Sequence, residues 1–128
     1  MIRAERFIYS QHIDQVNEWA KQREIVPTEK DLLPELGRIV EGLAALFLYR
    51  TDSKIAFMEN LITNKDAKPD DVKRAVYLCI RALQNDAQDE GFTHLRAVTY
   101  NFGVVETAKK NGFLVVQRGC TMIAKELK

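Results

Sequence analysis

The sequence predicts one α/β domain: a mixed, mostly antiparallel sheet of six to seven strands with helices on both faces. Three observations carry this. Residues 38–62 hold three apolar runs separated by turn residues, the pattern of an antiparallel meander. From Pro69 onward, Val72, Val76, Cys79, Ile80, Leu83 and Ala87 fall on one helical stripe. The passage from residues 55–61 through that helix to residues 95–100 then calls for a right-handed crossover, which makes those two strands parallel.

Each element has its own local signal. Residues 2–8 alternate charged with β-branched or aromatic side chains and read as a strand. Ser10 suits a helix N-cap, and Ile13, Val16 and Ala20 follow at near-helical spacing with Trp19 on the flank. Asp14, Glu18, Lys21 and Arg23 are left to face water. Residues 24–36, with Pro27 and Pro34, read as a loop holding one short helical turn near 29–33. Strands are expected at 38–41, 43–50 and 55–62, the last two joined by the turn Thr51-Asp52-Ser53-Lys54. Pro69 opens the long helix, Asp70 and Asp71 oppose its dipole, and Gly91 ends it. A strand at 95–100 follows. Asn101 caps a second helix that Gly112 stops, and strands at 113–116 and 121–124, joined around Gly119, close the sheet.

Composition bounds the function. At 128 residues, with 46% apolar and 29% charged side chains, the chain has material for one core and no long polar tract. No run approaches the roughly 18 apolar residues that a membrane helix needs. Charges interrupt the start, Met1 to Arg6, so no secretory signal is expected and the cytoplasm is the expected location. The net charge of +1 argues against a protein that coats nucleic acid. Residues 1–64 carry eight basic and ten acidic side chains against eleven and eight in residues 65–128, a small cationic bias of the second half. Cys79 and Cys120 sit in no metal or redox spacing and read as two buried, inert thiols. His12 and His94 read as surface groups without a metal partner, so no metal is expected.

Three features, in this order and spacing, resemble the GCN5-related N-acetyltransferases, the acyl-CoA N-acyltransferase superfamily. A meander strand ends in Glu59-Asn60-Leu61-Ile62-Thr63 before a loop and a long helix. That helix closes as Ala87-Gln88-Asp89-Glu90-Gly91, similar to the family's A-x-x-x-G ending. Asn101 then stands eleven residues before Gly112-Phe113, the family's Asn-to-Gly-Phe spacing. The resemblance implies an acetyl-CoA-dependent enzyme that passes an acetyl group to an amine by direct attack, without a covalent intermediate. It implies two strands parting at their ends, with Leu61, Ile62 and Thr63 along the pantetheine arm. Lys68, Lys73 and Arg74 would meet phosphates, and Asn101 the cofactor arm. Glu59 is the expected general base, with Glu41 a second candidate, and Tyr100 the expected proton donor to the leaving thiolate. The acceptor, a small molecule or a protein amine, would lie beside residues 24–36 and the 38–41 strand. A monomer or homodimer is expected, without nucleic-acid or membrane partners, and the short chain resembles divergent members found in viral genomes.

Two departures from the family pattern are specific. Its Arg/Gln-x-x-Gly-x-Gly/Ala motif falls on Asp71 to Val76, which hold no glycine, and its usual tyrosine falls on Ala108. The competing expectation is therefore a non-catalytic module of the same fold that binds a protein partner.

Overall fold

The computed structural model describes residues 2–25, 29–99 and 101–127. A five-stranded sheet runs in chain order. Its strands are β1 (Glu5–Arg6), β2 (Leu36–Val40), β3 (Ala44–Tyr49), β4 (Ile55–Thr63) and β5 (His94–Ala97). The first three pairings are antiparallel and β4–β5 is parallel, as the crossover rule requires. Helix α1 (Tyr9–Gln22) follows β1, α2 (Pro69–Asp89) makes the crossover, and α3 (Phe102–Lys110) packs on α2. A 3-10 turn, Lys30–Leu32, falls within the expected 29–33 region.

Two apolar layers hold the sheet from opposite sides. On one face Ala75, Val76, Cys79, Ile80, Leu83 and Ala87 of α2 pack on Leu36, Leu46, Leu48 and Met58. On the other, Val16, Trp19 and Ala20 of α1 pack with Phe7, Ile39, Phe47 and Ile62. Arg38 of β2 clamps the first layer, donating to both carboxylate oxygens of Asp86 on α2 at 2.8 and 2.7 Å. This pair is half-buried, and the Asp86 carboxylate holds the guanidinium more firmly charged than usual. At the same C-terminal end of α2, Arg50 does the same for Glu90, the helix C-cap, whose carboxyl is held below the ordinary range. Cys79 is fully buried, and desolvation pushes its thiol up to about 12.

All three helices end in the same backbone device, in which the second residue past the cap donates back five positions. Phe92 donates to Ala87, Phe113 to Ala108 and Ile25 to Ala20, each with the residue before it bonded three positions back. Gly91 and Gly112 supply the left-handed residue in two cases; in α1 it is Glu24, at φ 55°.

Several expectations need correcting. The sheet has five strands, not six or seven: residues 113–116 and 121–124 are not strands. Valine and isoleucine favour strands only against a partner, and Leu114, Val116 and Ile123 are instead 83%, 86% and 90% exposed. The first strand shrinks to Glu5–Arg6 because β2 ends at Val40, one step past the residue facing Glu5, leaving residues 2–3 nothing to pair with. Helix α1 starts one residue before Ser10; the Ile8 amide is capped by the ring Nδ1 of His12 at 2.9 Å. His12 is therefore no surface group but 3% exposed. Cys120 is only half-buried. Among the described residues no helix is long and apolar enough to cross a membrane.

Two stability predictions follow from backbone geometry. A Cβ on Gly37 would lie 2.5 Å from the Phe47 ring, which is locked edge-on to Phe7 at 4.8 Å between centroids. Gly37→Ala should therefore cost about 1–3 kcal/mol in urea denaturation. Glu24→Gly should instead gain about 1 kcal/mol, by relieving a left-handed conformation that costs side-chain-bearing residues.

Candidate functional site

The site begins with one extra residue. Between the pairs Phe47↔Glu59 and Ala45↔Ile62, β3 advances two positions and β4 three, so β4 carries a bulge. Asn60 sits there at φ 59°, the left-handed region that asparagine tolerates better than other side-chain-bearing residues. Its Nδ2 donates to the Tyr49 hydroxyl, which donates to the Leu32 carbonyl at 3.0 Å. Burial and then the Glu59 carboxylate push the Tyr49 phenol above its ordinary range, against the Asn60 bond, so this hydroxyl keeps its proton at neutral pH.

The bulge resets which way β4 side chains point. Glu59 faces the same side as its cross-strand partner Phe47, the α1 side. Ile62, three residues on, faces that side again and is buried against α1. Leu61 turns the other way and packs against the α2 layer.

The pairing of β4 with β5 stops just before the bulge. The parallel pairing covers only Ile55–Met58 against His94–Ala97, while β4 continues to Thr63. Residues 59–62 thus present a backbone edge with no strand beside it among the described residues, because β5 stops at Ala97. Thr63 is different: Arg23, on the last turn-out of α1, donates to its carbonyl at 3.2 Å and its hydroxyl at 2.7 Å. Its polar groups are already engaged.

The helix end facing this edge lacks a ready amide nest. Lys68 is the α2 N-cap with no side-chain capping bond, and Val72 already donates to the Lys68 carbonyl at 3.0 Å. Of residues 71–76, where the family motif falls, the amides of 73–76 lie inside the helix. Those of Asp70 and Asp71 remain at its open end, beside their own carboxylates. Lys65, Lys68, Lys73 and Arg74 are exposed. An anion held here would meet these cationic side chains, and only the Asp70 and Asp71 amides of the backbone, beside carboxylates of its own sign.

On the α1 side of the bulge lies a cleft of about 160 Å³. Ile13, Val16, Asn17 and Ala20 of α1 form one wall, and Asn60, Leu61 and Ile62 the other. Phe47, Ile25 and Leu33 complete it, and no lining residue is charged. Ile25 is held there by the turn that ends α1.

The remaining candidates scatter. Glu59 is exposed at the bulge. Glu41 lies past the end of β2, bonded to the His12 Nε2 at 3.1 Å. Glu5, His12 and Glu41 bring ligand atoms within 4.8 Å of one another. The Ile8 amide fills Nδ1, however, so the ring proton sits on Nε2 and points at Glu41. That is a hydrogen-bonded pair, and a metal at Nε2 would have to evict a proton with no other nitrogen to take it. Asn101 caps α3, its Oδ1 accepting from the Val104 amide at 3.2 Å. Ala108 packs half-buried against the α2 layer. Tyr100 lies outside the described residues. Sequence reasoning did not single out Tyr49, or the bond from Arg23 to Thr63; an asparagine interrupting a strand of apolar residues was the signal for the former.

The bulge predicts a graded series. Asn60→Gly should keep the conformation and lose only the Tyr49 bond, while Asn60→Val should cost about 1–2 kcal/mol more, because a β-branched residue resists positive φ. Thermal unfolding of the two variants checks the order.

No protein-family model and no curated protein sequence matches the chain. Solved structures do. A Trypanosoma brucei acetyltransferase superposes with a TM-score of 0.68 at 9% identity, over 97% of this chain and 100% of that one. An aminoglycoside acetyltransferase from an uncultured soil metagenomic sample, in complex with sisomicin, superposes at 0.63 and 12% identity, over 99% and 97%. The superpositions show that the chain shares the fold of these acetyltransferases, at 9% and 12% sequence identity.

Proposed function

We propose that the chain is an acetyl-CoA-dependent N-acetyltransferase acting on an amine, in a reducing cytoplasm that suits its buried Cys79 thiol. One observation carries this reading: the unpaired backbone edge of β4 at residues 59–62, where β5 has ended. An exposed strand edge binds an extended, amide-containing chain by adding it as a further strand, and the pantetheine arm of CoA is such a chain.

The residues present fit that ligand unevenly. The backbone of Leu61 and Ile62 would hold the arm, with Thr63 joining only if Arg23 releases it. Lys68, Lys73 and Arg74 would hold phosphates through their side chains, and Asn101 would contact the arm from the start of α3. The ligand supplies an activated acetyl thioester. Around it, Glu59 takes the proton from the acceptor ammonium, through a water, because only the free amine has a lone pair for attack. The C–N bond would form as the C–S bond breaks, Tyr100 or water would protonate the thiolate, and the second proton shed by the nitrogen would restore that donor. The Ile62 amide would polarise the thioester carbonyl.

The second reading is a non-catalytic module of the same fold that binds a protein. The closed helix start at residues 73–76 and the carboxylates of Asp70 and Asp71 favour it, since both oppose diphosphate binding.

Calorimetric titration with acetyl-CoA decides between them. The enzyme reading expects saturable heat, weakened on the order of tenfold by Lys73→Ala plus Arg74→Ala and eroded by salt. No heat and no thermal shift at millimolar ligand overturns it. Glu59→Gln should lower turnover about 100-fold at neutral pH. The deficit should shrink as pH rises, because the acceptor amine then deprotonates without help.

A further inference from the structure

Resting on the transferase reading, we propose that the acceptor is a primary amine carrying an uncharged apolar group about the size of a benzene ring, and that this group seats in the cleft between α1 and β4. The cleft is open to solvent along one side, and its volume of about 160 Å³ is of the order of the enclosed apolar cavity of about 150 Å³ known to take up benzene. Its lining is aliphatic and aromatic apart from Asn17 and Asn60. Asn60 has its amide committed to Tyr49, which leaves Asn17 as the one polar side chain with no hydrogen bond among the described residues of the wall.

Position selects the occupant as much as chemistry does. Asn60, Leu61 and Ile62 belong both to the cleft wall and to the free edge of β4. Glu59 faces the side of Phe47, a residue of the same cleft. A ring bound between α1 and β4 therefore leaves its amine beside the one carboxylate of that strand segment. A polycation meets the opposite situation. Its second ammonium would lose water in a cleft without a charged partner, which is strongly unfavourable.

The test uses the full chain and three probes: 2-phenylethylamine, 2-phenylethanol and 1,4-diaminobutane. In amide-resolved NMR without cofactor, the two ring compounds should shift the Ile13, Ala20 and Ile62 signals saturably, and the diamine should not. With acetyl-CoA, 2-phenylethylamine should exceed 1,4-diaminobutane in kcat/KM on the order of tenfold or more. Asn17→Phe should fill the cleft and abolish the ring-dependent shifts. Leu33→Ala, which opens the far wall, should move the preference to a naphthyl amine. This second variant keeps the test alive if the first does not fold. Absence of ring-dependent shifts, or an equal response to the diamine, overturns the inference. Acetyl-CoA heat without ring binding would leave the transferase reading standing and remove this substrate class. Ring binding without acetyl-CoA heat would remove the transferase and, with it, the acceptor role of the cleft.

Discussion

The single extra residue in β4 is the constraint on which the candidate site depends. A strand without it would place Glu59 and Leu61 on one face and Ile62 on the other. With it, Glu59 and Ile62 both face α1, Leu61 joins the α2 layer, and the strand bends where β5 stops. The bulge thus gives the α1 side an apolar wall next to a carboxylate, and it sits where β4, still paired with β3, has no strand on its other edge among the described residues. The Asn60–Tyr49–Leu32 chain of hydrogen bonds secures it from the segment that precedes β2.

How much of this the sequence disclosed depends on whether the deciding interaction was local. The long helix was legible because its stripe, its proline start and its Gly91 end are all local, and the structure places it at Pro69–Asp89. The meander and the parallel β4–β5 pair were legible for the same reason, since turn chemistry and crossover handedness are strong rules. The failures are non-local. His12 is buried because its ring fills a cap and meets Glu41, twenty-nine residues away. Residues 113–116 and 121–124 carry strand-forming side chains, yet a strand exists only where a neighbour completes its ladder. Glu59 was legible as a residue at a strand end, but its facing was not, because one left-handed asparagine reverses the parity. The cations around the start of the long helix were legible as charges, whereas the helical placement that takes up the amides of residues 73–76 was not.

That closed helix start changes the physics of anion recognition. Backbone amides at a helix end are fixed dipoles that lose no conformational freedom when an anion arrives. Lysine and arginine side chains do lose it, on the order of 1–2 kcal/mol each in rotamer entropy, and exposed charges are screened by salt. Lys68, Lys73 and Arg74 must also work against Asp70 and Asp71 on the same turn. A diphosphate held this way is held loosely, and more of the ligand's affinity then has to come from the strand edge.

The two sides of the sheet are not independent. The end of α1 reaches across to the end of β4 and the segment after it: Arg23 to Thr63, the Gln22 side-chain amide to the Asp66 carboxylate at 3.0 Å, and the Lys65 amide to the Gln22 side-chain Oε1 at 3.1 Å. α1 is also a wall of the cleft. A group that displaces α1 when it enters the cleft therefore strains bonds to the segment leading into the cation-bearing helix, and releasing Arg23 frees the Thr63 carbonyl and hydroxyl. Each such exposed bond contributes about 1 kcal/mol or less, so the coupling is weak enough to be broken by ligand binding and strong enough to favour one arrangement in its absence. The last turn of α1 thus physically joins the wall of the cleft to the last residue of β4.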